Sequence, residues 1–356
     1  MAIDFDLLKR LSETPGVPSR EERIRAVIVE ALRPLADEVR TDALGNAIAR
    51  RRGRDGAGPT RRVMIAAHMD EIGFLVRHID KNGFVRLQPV GGFDPKTLVA
   101  QRVQVHTSGG ETLRGVLMPS GGKPPHLMTP GEQPKPPRVE DFFVDLGLSG
   151  DEARERVEIG DMVTLDRPAE RAGDKIIAKA MDDRVGVFVM IEALRALRGH
   201  DVEIMAVATT QEEVGLRGAT TAAFGIEPDV GIALDVTLAV DTPGIEEPDR
   251  ITHLGKGVGI KVMDSASISD PRLVRHLRDL ARREGIPFQM EVLPRGGTDA
   301  GALQRARAGV PAVTLSVPAR YVHTPNEMVA EGDIEAAATL LARYLEEAHS
   351  FDYTHA

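Results

Sequence analysis

At 356 residues the chain exceeds the size at which one hydrophobic core usually stops growing, so a large domain carrying a smaller one is expected. Hydrophobic residues at 42% and charged residues at 28% suit a soluble globular protein, while 54 Asp plus Glu against 45 Lys plus Arg give a net charge of −9, the wrong sign for general attraction to nucleic acid or anionic lipid. There is no cysteine, which excludes disulfides and thiolate chemistry and restricts any metal to nitrogen and oxygen donors.

Residues 1–11 mix Asp4, Asp6, Lys9 and Arg10 among apolar ones. Nowhere do about 18 uncharged apolar residues run together, so a cytoplasmic protein with no membrane and no nucleic-acid partner is expected. Ser19 followed by Glu22 resembles a capping box, and Ile24, Val27, Ile28 and Leu32 recur at helical spacing, so residues 20–37 read as an amphipathic helix. The period then changes. Residues 63–67 form a short apolar run of the kind that makes a buried strand, ending at His68-Met69-Asp70. Strand follows strand at 74–79, 84–90, 99–106, 113–118 and 162–165, punctuated by Gly and Pro. Within this region, residues 119–137 are so rich in Pro and Gly that they read as a loop.

From Lys175 onward strands and helices alternate. Strands are expected at 176–180, 203–210, 230–236, 288–293 and 312–317, and helices at 183–197, 271–283 and 333–348. The pattern describes an α/β domain built from both ends of the chain, residues 1–71 plus 166–356, with helices on both faces of its sheet. A small β domain, residues 72–165, interrupts it. The glycines around Lys256 and Lys123 lack the spacing of a nucleotide-binding loop and read as ordinary turns.

Open α/β sheets carry their sites outside the carboxyl ends of strands. Polar residues closing apolar runs are His68 and Asp70, Asp182 and Asp183, Glu212 and Glu213, and Asp235, with His323 soon after the run at 312–317. Singly, each has an ordinary explanation as a helix cap or a hydrogen-bonded side chain. Five strand ends with the same composition are harder to ascribe to capping. Two histidines and three or more carboxylates suit a pair of divalent cations about 3.5–4 Å apart, with one carboxylate shared and a neighbouring one left to carry a proton.

Ala67-His68-Met69-Asp70-Glu71-Ile72-Gly73-Phe74, Met181-Asp182-Asp183-Arg184-Val185-Gly186, Thr210-Gln211-Glu212-Glu213-Val214-Gly215, Leu234-Asp235-Val236 and His323-Thr324-Pro325 resemble, in order and spacing, the motifs of the M42 aminopeptidases. The resemblance implies a central mixed sheet flanked by helices, as in zinc peptidases, with an inserted β-barrel-like domain that serves dimerisation. It further implies two divalent metal ions per chain, with zinc ahead of cobalt or manganese. His68 and Asp235 would bind one, Glu213 and His323 the other, and Asp182 both, around a cis Asp182–Asp183 peptide. Glu212 would be the catalytic base and then acid, and Asp70 would orient the His68 ring. Short peptides would be the substrates, and dimers would assemble into a homo-oligomeric dodecamer.

Gly296-Gly297-Thr298-Asp299-Ala300-Gly301 also fits the family pattern, either lining the substrate site or opening a helix with Thr298 as its cap; Arg320 and Tyr321 stand close to the same site in sequence. Some relatives carry an endoglucanase label, so a glycosidase is one rival reading. Its paired carboxylates need no histidine ligands, however, and its cleft is usually aromatic, whereas this chain has no Trp and three Tyr. A non-catalytic assembly protein of the same fold is the other rival, and the intact ligand set argues against it.

Overall fold

The computed structural model describes residues 3–54, 61–121 and 136–353. Among them an eleven-stranded mixed sheet runs in the order Glu38–Thr41, Ala47–Arg51, Glu203–Thr209, Arg62–His68, Val230–Leu238, Ala312–Arg320, Glu327–Ala330, Lys175–Ala178 and Glu170–Ala172. Val258–Met263 pairs with Ala312–Arg320 off this path and carries the edge strand Phe288–Val292. The central strands are parallel: Arg62–His68 lies between Glu203–Thr209 and Val230–Leu238, and the latter pairs with Ala312–Arg320.

Central strands buried on both faces are expected to be largely apolar, and here the polar exceptions include Asp235, Thr237, Thr314 and Ser316. Val63, Ile65 and Ala67 enter one core with Ile204, Ala206 and Ala208, while Met64, Ala66, Met205 and Val207 enter another on the opposite face. Helices Met181–Ala196 and Glu331–Glu347 bury residues in the first core, and Arg217–Ile226 and Ala300–Gln304 do so in the second. Pro271–Glu284 shows how sharply a helix can be written into sequence: Asp270 caps it by accepting from the N–H groups of Arg272 and Leu273, Pro271 begins it, and Gly285 ends it with φ of 65°.

Between Gly73 and Leu165 six strands close into a barrel in the order Gly73–Ile79, Val85–Val90, Phe142–Asp145, Thr112–Pro119, Gln101–His106 and Met162–Leu165. Phe74, Val85, Val103, Leu117, Phe142 and Val163 fill its interior, a core separate from those of the large sheet. No helix of the described residues is long and apolar enough to cross a membrane.

Two expectations are corrected. Ser19 does not cap a helix: its φ is 70°, the helix Glu22–Leu32 has Glu21 in the cap position, and no side chain caps it. Glu21 turns inward instead and accepts from Thr210 Oγ1 and from the backbone of Gln211. Thr298 is not a cap either, because its hydroxyl bonds Asp264 and Thr314. The Gly-rich run before Val258 is a turn, as expected, and leads into the strand Val258–Met263. The expected loop at residues 119–137 falls largely outside the described residues.

Candidate metal centre

The carboxyl ends of the parallel strands bring the singled-out residues together. His68 closes Arg62–His68, Asp235 stands in Val230–Leu238, Glu212 and Glu213 follow Glu203–Thr209, and His323 follows Ala312–Arg320. Asp182 and Asp183 open the helix Met181–Ala196 with non-helical backbone, and the peptide between them is cis.

Donor atoms of His68, Asp182 and Asp235 lie within 4.8 Å of one another, and so do those of Asp182, Glu213 and His323. Asp182 belongs to both groups, with Oδ1 2.9 Å from His68 Nε2 and Oδ2 3.3 Å from His323 Nε2. Glu212 belongs to neither, and its Oε2 is 3.9 Å from His68 Nε2.

Asp70 meets the His68 ring mainly through its backbone. The His68 ring is held at Nδ1 by the backbone carbonyl of Asp70 at 3.0 Å, whereas the Asp70 carboxylate stands 3.7 Å away. That carboxylate instead accepts from the backbone N–H groups of Glu212 and Glu213 at 3.0 and 3.1 Å. Its geometry therefore sets the turn that carries both glutamates, since two N–H bonds to one carboxylate fix the backbone at consecutive residues.

The electrostatics suit cations. Burial, reinforced by Asp182, drives Asp235 well above the usual carboxylate range, and the same two causes raise Glu213. Burial also lifts Glu212, with Asp235, Asp299 and Glu213 adding to it and His68 opposing. Asp182 goes the other way: burial disfavours its charge, but hydrogen bonds to His323 and His68 outweigh that and hold it below the usual range. Burial likewise opposes charge on His323, yet Asp182 and Glu213 push it up to about 12. Glu213 Oε1 is buried, lies 3.4 Å from His323 Nε2 and makes no hydrogen bond among the described residues. Carboxylates crowded in a dry site, one with an unsatisfied oxygen, beside two imidazoles form a donor set that fits divalent cations.

Residues 45–340 match the model of the M42 glutamyl aminopeptidase family. The chain belongs to that family. It is 39% identical over 358 residues to the lysyl aminopeptidase of Pyrococcus furiosus, covering 99% of each chain. Among solved structures, the aminopeptidase APDkam598 from the archaeon Desulfurococcus kamchatkensis matches with a TM-score of 0.90 at 39% identity, covering 96% of this chain and 94% of that one. The Pyrococcus horikoshii TET1 peptidase, which assembles into a tetrahedron or a large octahedral shell, matches with a TM-score of 0.83 at 32% identity over 96% and 99% of the two chains.

In this M42 aminopeptidase the barrel reaches the centre. A side chain at Gly91, whose φ is 93°, would come within 2.5 Å of Ile72 and 3.3 Å of Glu213 Oε2, and one at Gly92 within 3.5 Å of His323 Nδ1. At Gly91 only glycine lets the loop approach so closely, whereas a Cβ at Gly92 would make an ordinary contact. Gly186 serves in the same way, because a Cβ there would stand 2.2 Å from Asp183 Oδ1. Arg320 forms an ion pair with Asp241, and Tyr321 is half exposed with φ of 61°.

Two further buried acids lie near the centre, Asp299 within the glycine-rich segment already singled out and Glu327, which the sequence reading missed. Asp299 accepts from Thr209 Oγ1 at 2.6 Å, and Glu327 accepts from the backbone of Asp182 and His323. A charged residue opening the apolar run Met328-Val329-Ala330 was the available signal for Glu327. A separate cleft of about 1300 Å³, lined by residues such as Arg61, Asp229, Asp270 and Tyr353, opens at the amino ends of the strands, and none of the expected site residues lines it.

Proposed function

We propose that this M42 aminopeptidase uses two divalent cations to remove the amino-terminal residue from short peptides. His68 and Asp235 would hold one cation, Glu213 and His323 the other, and Asp182 would serve both. The observation that carries this reading is the division of the Asp182 oxygens between the two groups of donors. Zinc comes first among the candidates, with cobalt and manganese also compatible with nitrogen and oxygen donors. When bound, the pair would polarise the scissile carbonyl and make a water easier to ionise.

Glu212 is the protein's own contribution to proton transfer. It sits beside the donors without belonging to either group, so it takes the proton from the attacking water and returns it to the leaving amine, a contribution of about 10²–10⁴-fold. Asp70 holds the backbone from which Glu212 and Glu213 project. Gly296 and Gly297, with Arg320 and Tyr321, are candidates to line the substrate path.

Residues 1–71 and 166–356 form the catalytic domain of this reading, and residues 72–165 the domain for dimerisation and assembly. The tetrahedron or octahedral shell formed by the TET1 relative and the dodecamer of a second TET1 structure support a homo-oligomer, which we read as a dodecamer built from dimers and located in the cytoplasm. A glycosidase gains no support from the histidine-rich centre.

The test uses one peptide sequence in three forms: free, N-acetylated, and displayed at the flexible end of a folded domain. Loss of the α-amine anchor should slow cleavage of the acetylated form by about 10²-fold or more. Equal cleavage of both short forms would overturn the aminopeptidase reading, and rapid trimming of the domain-linked form would reject only the closed shell. Full activity in protein freed of metal by chelation would end the two-cation reading.

A further inference from the structure

Three buried carboxylates next to the centre stand outside both groups of donors, and each accepts two backbone N–H groups. Asp70 accepts from Glu212 and Glu213. Asp183 accepts from His68 at 3.1 Å and from Gly186 at 3.0 Å. Glu327 accepts from Asp182 at 3.0 Å through Oε2 and from His323 at 2.7 Å through Oε1. The main chain of His68, Asp182, Glu213 and His323 is thus gripped by acids that leave the ligand side chains free.

Glu327 differs from the other two because both of its partners are candidate ligands and they come from distant segments. Its place follows from the sheet. The strand Glu327–Ala330 pairs with Lys175–Ala178 so that Glu327 faces Ala178, four residues before Asp182. His323 has φ of 62°, uncommon for a residue with a side chain though less so for histidine. The Oε1 bond to its N–H restrains the backbone there, and the Oε2 bond ties the same carboxylate to Asp182.

Resting on the two-cation reading, we infer that Glu327 is a positioning residue: it fixes Asp182 relative to His323 and so sets the cation affinity of the Asp182, Glu213 and His323 group. A carboxylate is required because both bonds are accepted, one at each oxygen. Glutamine has one acceptor oxygen, and its amide nitrogen would confront the second N–H, donor against donor. One grip is then lost while size and shape are kept. The group holding His68 and Asp235 keeps its own anchor at Asp183.

The experiment compares wild type with Glu327→Gln as full chains, stripped by chelator and titrated with Co²⁺ by calorimetry and visible absorption, with Zn²⁺ as competitor. Wild type should take up two ions per chain. Glu327→Gln should weaken one class of site by about 10- to 100-fold, as loss of a ligand-supporting partner does, and the other class much less. A purely structural role would change the unfolding of the stripped protein without separating the two classes. Two sites with wild-type affinities, or both weakened equally, would overturn the inference while leaving the two-cation reading intact. Fewer than two ions bound by wild type would instead refute that reading. Should Glu327→Gln not fold, Glu327→Asp, too short to reach both N–H groups, is read in the same way.

Discussion

His106 makes stability depend on pH at a place remote from the metal centre. The ring is buried in the barrel, with Nε2 3.0 Å from Thr164 Oγ1 and Nδ1 3.2 Å from both Thr112 Oγ1 and the guanidinium of Arg23. A guanidinium can only donate, so Nδ1 must accept and the ring is neutral. Burial first, then the charges of Arg23 and Lys179, lower its pKa from 6.5 to about 4, with Asp166 opposing. Between those values the unfolded chain binds a proton that the folded chain does not. The stabilisation is therefore complete above the unfolded value and is lost as the pH falls through 4. At about 1.4 kcal/mol per pH step, the whole effect is about 3 kcal/mol, and about 2 kcal/mol of it should be gone by about pH 4.5. Denaturant unfolding of wild type and His106→Gln at pH 7 and 4.5 isolates this contribution, because every other titrating group is common to both. The difference in stability should shrink by about 2 kcal/mol at the lower pH. A difference that stays constant would refute the neutral, guanidinium-facing ring.

Glu212→Gln should retain both cations while kcat falls by about 10²-fold or more, and Glu213→Gln should chiefly weaken one cation site, as read by metal content beside steady-state kinetics; metal loss in the first variant and retention in the second would reverse the assignment. Gly186→Ala should destabilise by about 1–3 kcal/mol although alanine is the better helix former, because its Cβ would press on the Asp183 carboxylate that holds His68. A raised Tm in that variant would show that the contact relaxes freely. Lys261 and Glu291, both fully buried, pair at 2.6 Å, so Lys261→Met should cost about 3–5 kcal/mol in denaturant unfolding by stranding the carboxylate. Changing both to apolar residues of similar size should recover most of that loss.

Much of the centre could be read in advance because parallel strands buried on both faces leave an unmistakable trace. Val63 to Ala67 and Val230 to Leu234 are unbroken apolar runs, so the His68 and Asp235 that follow or close them stand out. Elements whose partners alone define them were harder to see. Ala47–Arg51 carries Arg50 and Arg51, which a buried-strand pattern does not suggest, yet it pairs antiparallel with Glu203–Thr209. Glu327 was not singled out after His323-Thr324-Pro325, because its part lies in two backbone bonds to residues that only the folded sheet brings near. The failed capping box has the same cause. Ser19 and Glu22 had the right spacing, but a long-range partner at Thr210 drew in the glutamate between them.

The order of strands in the sheet also bears on how the enzyme is made. Ala47–Arg51 and Arg62–His68 are neighbours in sequence, yet Glu203–Thr209 lies between them. On a ribosome the first two must therefore emerge and wait, with a slot open between them, while the whole barrel and the helix Met181–Ala196 are translated. His323 comes later still. The barrel strands, by contrast, all pair with partners between Gly73 and Leu165, so that region can close while synthesis continues. Through most of translation the nascent chain carries His68 beside an incomplete sheet, exposing apolar strand faces that need protection. The candidate donors are therefore complete only once His323, near the end of the chain, has been made.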